Sequence, residues 1–158
     1  MRPEPSIRSI VDQKTEITSP TTGPFSVPVI LSRLIDIRKL CCFFGSCIDA
    51  SKTIVSYKKR TSDFDIEDLG LPKPSQAEFL DILQSENVSS GELADAYVSA
   101  LTYANKALAH YKAGRLQAPM PMNFIVLSAF GIDRSIKTFV YSRKSIPVPQ
   151  LPITDTHI

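Results

Sequence analysis

The chain reads as a small all-α domain, a bundle of four or five helices, and three observations carry that reading. Two Ser-x-x-Glu boxes, Ser75 to Glu78 and Ser89 to Glu92, each mark a helix start just ahead of an apolar repeat. After the second box, Leu93, Tyr97, Ala100, Leu101, Ala104, Leu108 and Tyr111 recur at helical spacing. The stretch from Pro28 to Phe44 is apolar around most of its circumference, as a helix buried in a bundle is. A chain of 158 residues can form one domain, which at this size buries roughly 68–70% of the surface its unfolded state exposes. With 43% hydrophobic and 22% charged residues, the composition excludes a wholly disordered, collagenous or coiled-coil chain.

Residues 1–25 carry Pro3, Pro5, Pro20 and Pro24 with few apolar side chains, and are expected to be a disordered arm in which Ile7, Ile10 and Val11 form one docking turn. Ser26 is placed to cap the first helix, with Pro28 in its first turn. Its apolar positions are Ile30, Leu31, Leu34, Ile35, Ile37, Leu40, Cys41, Phe43 and Phe44, against a polar edge of Arg33, Asp36 and Lys39. Gly45 and Ser46 interrupt the pattern. A second, weaker helix is expected from Cys47 to Tyr57 through Ile48, Ser51, Ile54 and Val55, ending in Lys58, Lys59 and Arg60, where cations suit the helix dipole. Residues 61–74 form a linker whose Phe64, Ile66, Leu69 and Leu71 should lie along the domain surface. The two capped helices follow, the first burying Phe79, Ile82 and Leu83, the second flanked by a Val88–Leu93 staple and closed at Gly114.

Residues 124–144 admit two readings. A helix capped by Asn123 places Ile125, Ala129, Ile132, Ile136, Phe139 and Val140 on one face; a β-hairpin around residues 131–134 would make the domain α+β. The helix is preferred, although an interior Gly131 costs it about 1 kcal/mol. From residue 145 the Pro-rich tail, with Pro147, Pro149 and Pro152, should be extended. The organisation expected is thus an arm (1–25), a helical domain (26–144) and a tail (145–158).

Little in the sequence points to catalysis. His157 sits in the tail, and His110 has no carboxylate on the following turn to orient it. No phosphate-cradling glycine motif occurs. Asp63, Asp65 and Glu67 alternate as in part of a calcium loop, but Phe64 and Ile66 intervene and no closing Glu follows, so a solvated acidic loop is expected. Cys41, Cys42 and Cys47 fit no common zinc spacing and read as free thiols of a reducing compartment, cytoplasmic or nuclear. Arg38 and Lys39 before Cys41 and Cys42 give S-acylation as the alternative use of that pair. No enzyme activity, no metal and no cofactor is expected. No apolar run approaches the ~20 residues of a transmembrane helix, and Pro3, Glu4, Pro5 and Asp12 stand where a secretory leader would be apolar.

Charge is arranged in blocks beneath a net +2. Residues 1–60 carry ten Lys/Arg against five Asp/Glu, residues 61–95 one against nine, and residues 96–158 seven against two. Either the acidic middle packs between its basic flanks or each block faces a partner of its own. These features lead to a non-enzymatic protein–protein interaction or assembly protein that forms homo-oligomers through the first helix, at Ile30, Leu31, Leu34, Ile37 and Phe44. A basic domain with Pro-rich ends also resembles, in build and not in motif, small viral matrix or accessory structural proteins. That alternative implies peripheral membrane contact, or contact with nucleic acid or nucleoprotein, through Lys58, Lys59, Arg60, Arg143 and Lys144, with Tyr57 and Tyr141 near the bases.

Overall fold

A computed structural model describes residues 7–9, 26–109 and 122–150, and among them the fold is a small all-α domain. Helix α1 (Ser26–Phe43) is followed by an antiparallel hairpin of β1 (Ser46–Ile48) and β2 (Ile54–Ser56), then a 3-10 turn (Ile66–Leu69). Helix α2 (Gln76–Leu80) runs into a 3-10 segment (Asp81–Glu86) and leads to α3 (Ser90–Ala109). Helix α4 (Met122–Ser135) continues as a π-helix (Ile136–Ser142). The expectations for His110, Gly114, His157, Pro152 and most of the N-terminal arm lie outside the described residues. Residues 7–9 form a helical turn, and Ile7 is buried in the core.

Both Ser-x-x-Glu boxes form. Ser75 Oγ accepts from the Glu78 amide at 3.2 Å while Glu78 accepts from the Ser75 amide at 2.7 Å. Ser89 and Glu92 repeat the exchange at 3.2 and 2.8 Å. Each box satisfies amides that a helix start otherwise leaves unpaired. Val88 and Leu93 are both buried, and α3 then turns Leu93, Ala96, Tyr97, Ala100, Leu101 and Ala104 into the core. At the centre of the domain four rings meet. Phe44 packs on Phe79 at 5.7 Å and on Phe139 at 6.0 Å between centroids, and Phe79 stacks on Tyr97 at 5.1 Å. Phe44, the turn residue just past α1, with one residue each from α2, α3 and the π-helix, thus locks four segments together.

Three expectations are corrected. The segment after α1 is a hairpin and not a helix, with Cys47 opposite Val55 and Ile48 opposite Ile54. Gly45, at φ 84°, turns the chain out of α1, and its carbonyl accepts from the Tyr57 amide at 2.8 Å. Asp49 closes the loop by accepting from the Thr53 amide at 2.9 Å, a side-chain turn that competes with helix. The β-branched run Thr53, Ile54, Val55 suits the strand that follows. The linker does not merely lie along the domain surface either: Ile66 and Leu71 are buried in the core, whereas Phe64 is left 63% exposed. Finally, 124–144 is helical, but its inner face is Ile125, Ser128, Gly131, Ile132, Ser135 and Phe139, and Ala129 is exposed.

The small residues explain that rotation. A Cβ on Gly131 would collide with the Tyr97 hydroxyl and stand 2.9 Å from Leu93 Cδ1, so glycine is what lets α4 settle onto α3. Hydrophobicity alone points to Ala129, whereas contact distance selects Gly131.

Candidate functional site

The residues that could act on a partner are best found by asking which charged and apolar groups the fold has already used. Of the five positions expected to face a second copy, Leu31, Leu34, Ile37 and Phe44 are buried in the chain's own core, and Ile30 packs partly against it. The breadth of the apolar face of α1 has an internal cause, since the helix packs against both α3 and α4 and the hairpin folds back on its end. Cys41 is 1% exposed and burial pushes its thiol well above the usual range, which removes it as an acylation site. Cys42 and Cys47 are half-buried, and burial raises both thiols. All three are free cysteines.

The acidic segment, expected to be solvated, is instead built into the fold. Asp65 is buried and opens the 3-10 turn, accepting from the Glu67 amide at 3.0 Å while Asp68 accepts from the Asp65 amide at 2.7 Å. Lys59 Nζ lies 3.2 Å from Asp65 Oδ1 and 2.5 Å from Asp68 Oδ2. From the other side Lys73 Nζ lies 2.9 Å from Asp65 Oδ2 and 3.0 Å from Glu67 Oε2. Burial opposes the charge on Asp65, but the two lysines outweigh it and hold the carboxyl at about 2. The bond to Asp68 raises Lys59 and the bond to Asp65 raises Lys73.

Further ion pairs join the acidic middle to both basic flanks. Arg8 lies 3.5 Å from Glu92, Arg134 pairs with Glu86, and Arg143 lies 3.9 Å from Glu78. Arg143 also donates to the Pro72 carbonyl at 2.9 Å and sits 4.9 Å from the Phe139 ring centroid. Of the two arrangements the charge blocks allow, the acidic middle therefore packs between its flanks. Of the predicted basic contact residues, Lys59 and Arg143 are spent on that segment at different points, while Lys58, Arg60 and Lys144 are exposed.

Tyr57 and Tyr141, expected beside a nucleic acid, are half-buried. The Tyr57 hydroxyl donates to Asp63, a bond that raises the phenol and lowers the carboxyl. The exposed ring nearby is Phe64. It stacks on Phe43 at 6.2 Å between centroids and an interplanar angle of 23°. Its position follows from the turn before it, where the Asp63 amide donates to the Arg60 carbonyl at 3.0 Å and the Arg60 amide to Asp63 Oδ2 at 2.9 Å. Sequence reasoning missed this ring because Phe64 reads as one more apolar linker residue; the alternation of Asp63 and Asp65 with Phe64 and Ile66 was the available signal.

After the π-helix the chain turns at Ser145, at φ 53°, with the Ile146 amide donating to the Tyr141 carbonyl at 3.0 Å. Residues 146–150 then run without helix or strand and are exposed, Ile146 at 50% and Val148 at 44%. Among the described residues no three His, Cys, Asp or Glu side chains are grouped to hold a metal ion, and no helix is long and apolar enough to cross a membrane. The chain matches no family model, no curated protein and no solved structure, so its function has to be argued from its own residues.

Proposed function

We propose that this chain is a non-enzymatic protein-interaction or assembly protein that self-associates, and that its contact element is the segment 146–150. The observation that carries the proposal is the pair of exposed apolar residues, Ile146 and Val148, on a segment without helix or strand that follows an αL residue. Pro147 and Pro149 remove the intervening amide donors, so the segment cannot extend a sheet ladder on both sides. Such a stretch favours the polyproline II form, which docks into apolar grooves at low entropic cost. The three free thiols support a reducing compartment, cytoplasm or nucleus.

The test is mass by light scattering on the full chain at tens of micromolar. A mass above 17.5 kDa is expected, returning to the monomer value in the Ile146→Ser, Val148→Ser double variant. A chain that stays at 17.5 kDa throughout removes self-association. Leu34→Asp is unsuitable for this purpose, because it places a charge in the core and reports on folding.

A further inference from the structure

The register of the hairpin fixes which backbone groups of β2 stay inside it and which are left outside. The Asp49 amide donates to the Thr53 carbonyl at 3.0 Å and the Tyr57 amide to the Gly45 carbonyl at 2.8 Å, so these opposed residues are hydrogen-bonded pairs. Bonded and non-bonded pairs alternate along an antiparallel ladder, which makes Ser46 with Ser56 and Ile48 with Ile54 the non-bonded ones, their amides and carbonyls turned outward. The Ile54 carbonyl bears this out by accepting from Gln76 Nε2 at 2.8 Å. Among the described residues the Ile54 amide and both backbone groups of Ser56 have no partner, and Ser56 is exposed. On β1, by contrast, Ser46 is buried and both α1 and α3 pack against the strand.

The segment 146–150 has the complementary chemistry. Ile146 and Val148 each precede a proline, which biases them to extended backbone, and the prolines are held close to it themselves. In an extended chain the amides of 146, 148 and 150 point to one side and the positions of 147 and 149 to the other. The prolines therefore strip donors from one side only. The other side keeps the amides and carbonyls of Val148 and Gln150 and the carbonyl of Ile146, whose own amide is bonded to Tyr141. Within the chain these residues pair with no strand.

We propose that 146–150 of one copy adds to the outer side of β2 in a second copy as an antiparallel strand, with Val148 opposite Ser56. This rests on the self-association argued above and names the surface that receives the segment. In that register Val148 exchanges two backbone bonds with Ser56, Gln150 stands opposite Ile54 and Ile146 opposite Lys58. Ile146 and Val148 then extend the sheet face that carries the buried Ser46 and Ile54. Pro147 falls opposite Tyr57 and Pro149 opposite Val55, at the close non-bonded positions, and both receiving side chains are half-buried in the chain alone. The side of the new strand that faces away from β2 offers no proline amide to a further strand, so the exchange is reciprocal and closes at a dimer.

Light scattering on the full chain at tens of micromolar should give twice 17.5 kDa. Ser56→Pro deletes the outward amide without removing a bond inside the hairpin, and should weaken dimerisation roughly ten-fold or more with an unchanged melting temperature. Amide hydrogen exchange followed by NMR is the second measurement. In the parent the Ser56 and Val148 amides should exchange roughly ten-fold more slowly, or slower still, in concentrated than in dilute protein. In the Ile146→Ser, Val148→Ser variant the Ser56 amide should keep its fast, dilute rate at both concentrations. A parent that stays at 17.5 kDa removes self-association, and this proposal with it. A dimer that Ile146→Ser, Val148→Ser breaks but Ser56→Pro leaves intact keeps the 146–150 contact and overturns β2 as its receiver. If Ser56→Pro lowers the melting temperature, exchange in the parent decides: protection of Ser56 that rises with concentration upholds the pairing, and a rate independent of concentration overturns it.

Discussion

The α3–α4 seam and the linker from Lys59 to Lys73 hold the same domain together by opposite means. The seam is a fit of shapes, in which Gly131 lets the Tyr97 ring approach the backbone of α4, and the buried hydroxyls of Tyr97, Ser128 and Ser135 have no hydrogen-bond partner in good geometry. The linker is a fit of charges, in which a buried carboxylate is gripped by two lysines and closes its own 3-10 turn. Shape complementarity is indifferent to pH and salt but intolerant of a single added carbon. The charge-built region fails on protonation instead.

The largest effect should come from adding volume at the seam. Gly131→Val places branched carbons where Tyr97 and Leu93 already stand, and the predicted loss is about 3 kcal/mol or more in chemical denaturation. Gly131→Ala sharpens the point: alanine gains about 1 kcal/mol in helix propensity, yet a net loss is expected because the clash is with a ring held between Phe79 and α4. Adding Tyr97→Phe, which deletes the colliding hydroxyl, should return part of that loss. A Gly131→Ala chain more stable than the parent would show that the seam has slack.

Asp65→Asn comes next. It removes the charge both lysines surround, and a loss of about 2–3 kcal/mol is expected, moderated because Lys59 and Lys73 are themselves about 30% exposed and can be hydrated. Asp68→Asn should lose less, since its carboxylate is more open to solvent.

These two regions were unequally legible in the sequence. The capping boxes and the α3 repeat could be read because each is a local pattern with one physical solution. The seam was half legible: its helix was expected, but its face was assigned by hydrophobicity, which passes over Gly131 and the two serines that closeness requires. The hairpin was misread because Ile48, Ser51, Ile54 and Val55 satisfy a helical spacing while Gly45 and Asp49 impose a turn. The linker latch was the least legible, because Asp65 looks solvated until Lys59 and Lys73 are known to converge on it. Phe64 shares that cause: which apolar linker residue is left outside depends on where Asp63 is tied.

The charge latch also sets the acid behaviour. Asp65 is held at about 2 against an ordinary value of 3.8, so the folded state binds its proton less readily than the unfolded chain. Its contribution to stability is therefore complete above about pH 4 and is lost as pH falls towards about 2. Denaturant midpoints measured across that window should fall in the parent and fall less in Asp65→Asn. Parallel slopes would mean that other carboxylates govern acid unfolding.

The smallest predicted effect tests the seam from its polar side. Ser135 buries a hydroxyl near the Tyr97 phenol, whose pKa burial raises, without gaining a well-formed hydrogen bond. Desolvating such a group costs free energy that nothing returns, and serine is also a poorer helix residue than alanine. Ser135→Ala should then be neutral or stabilise by up to about 1 kcal/mol, raising the thermal midpoint by a few degrees. If it destabilises instead, by as much as Asp65→Asn does, the seam is held by a polar network and the contrast with the linker disappears.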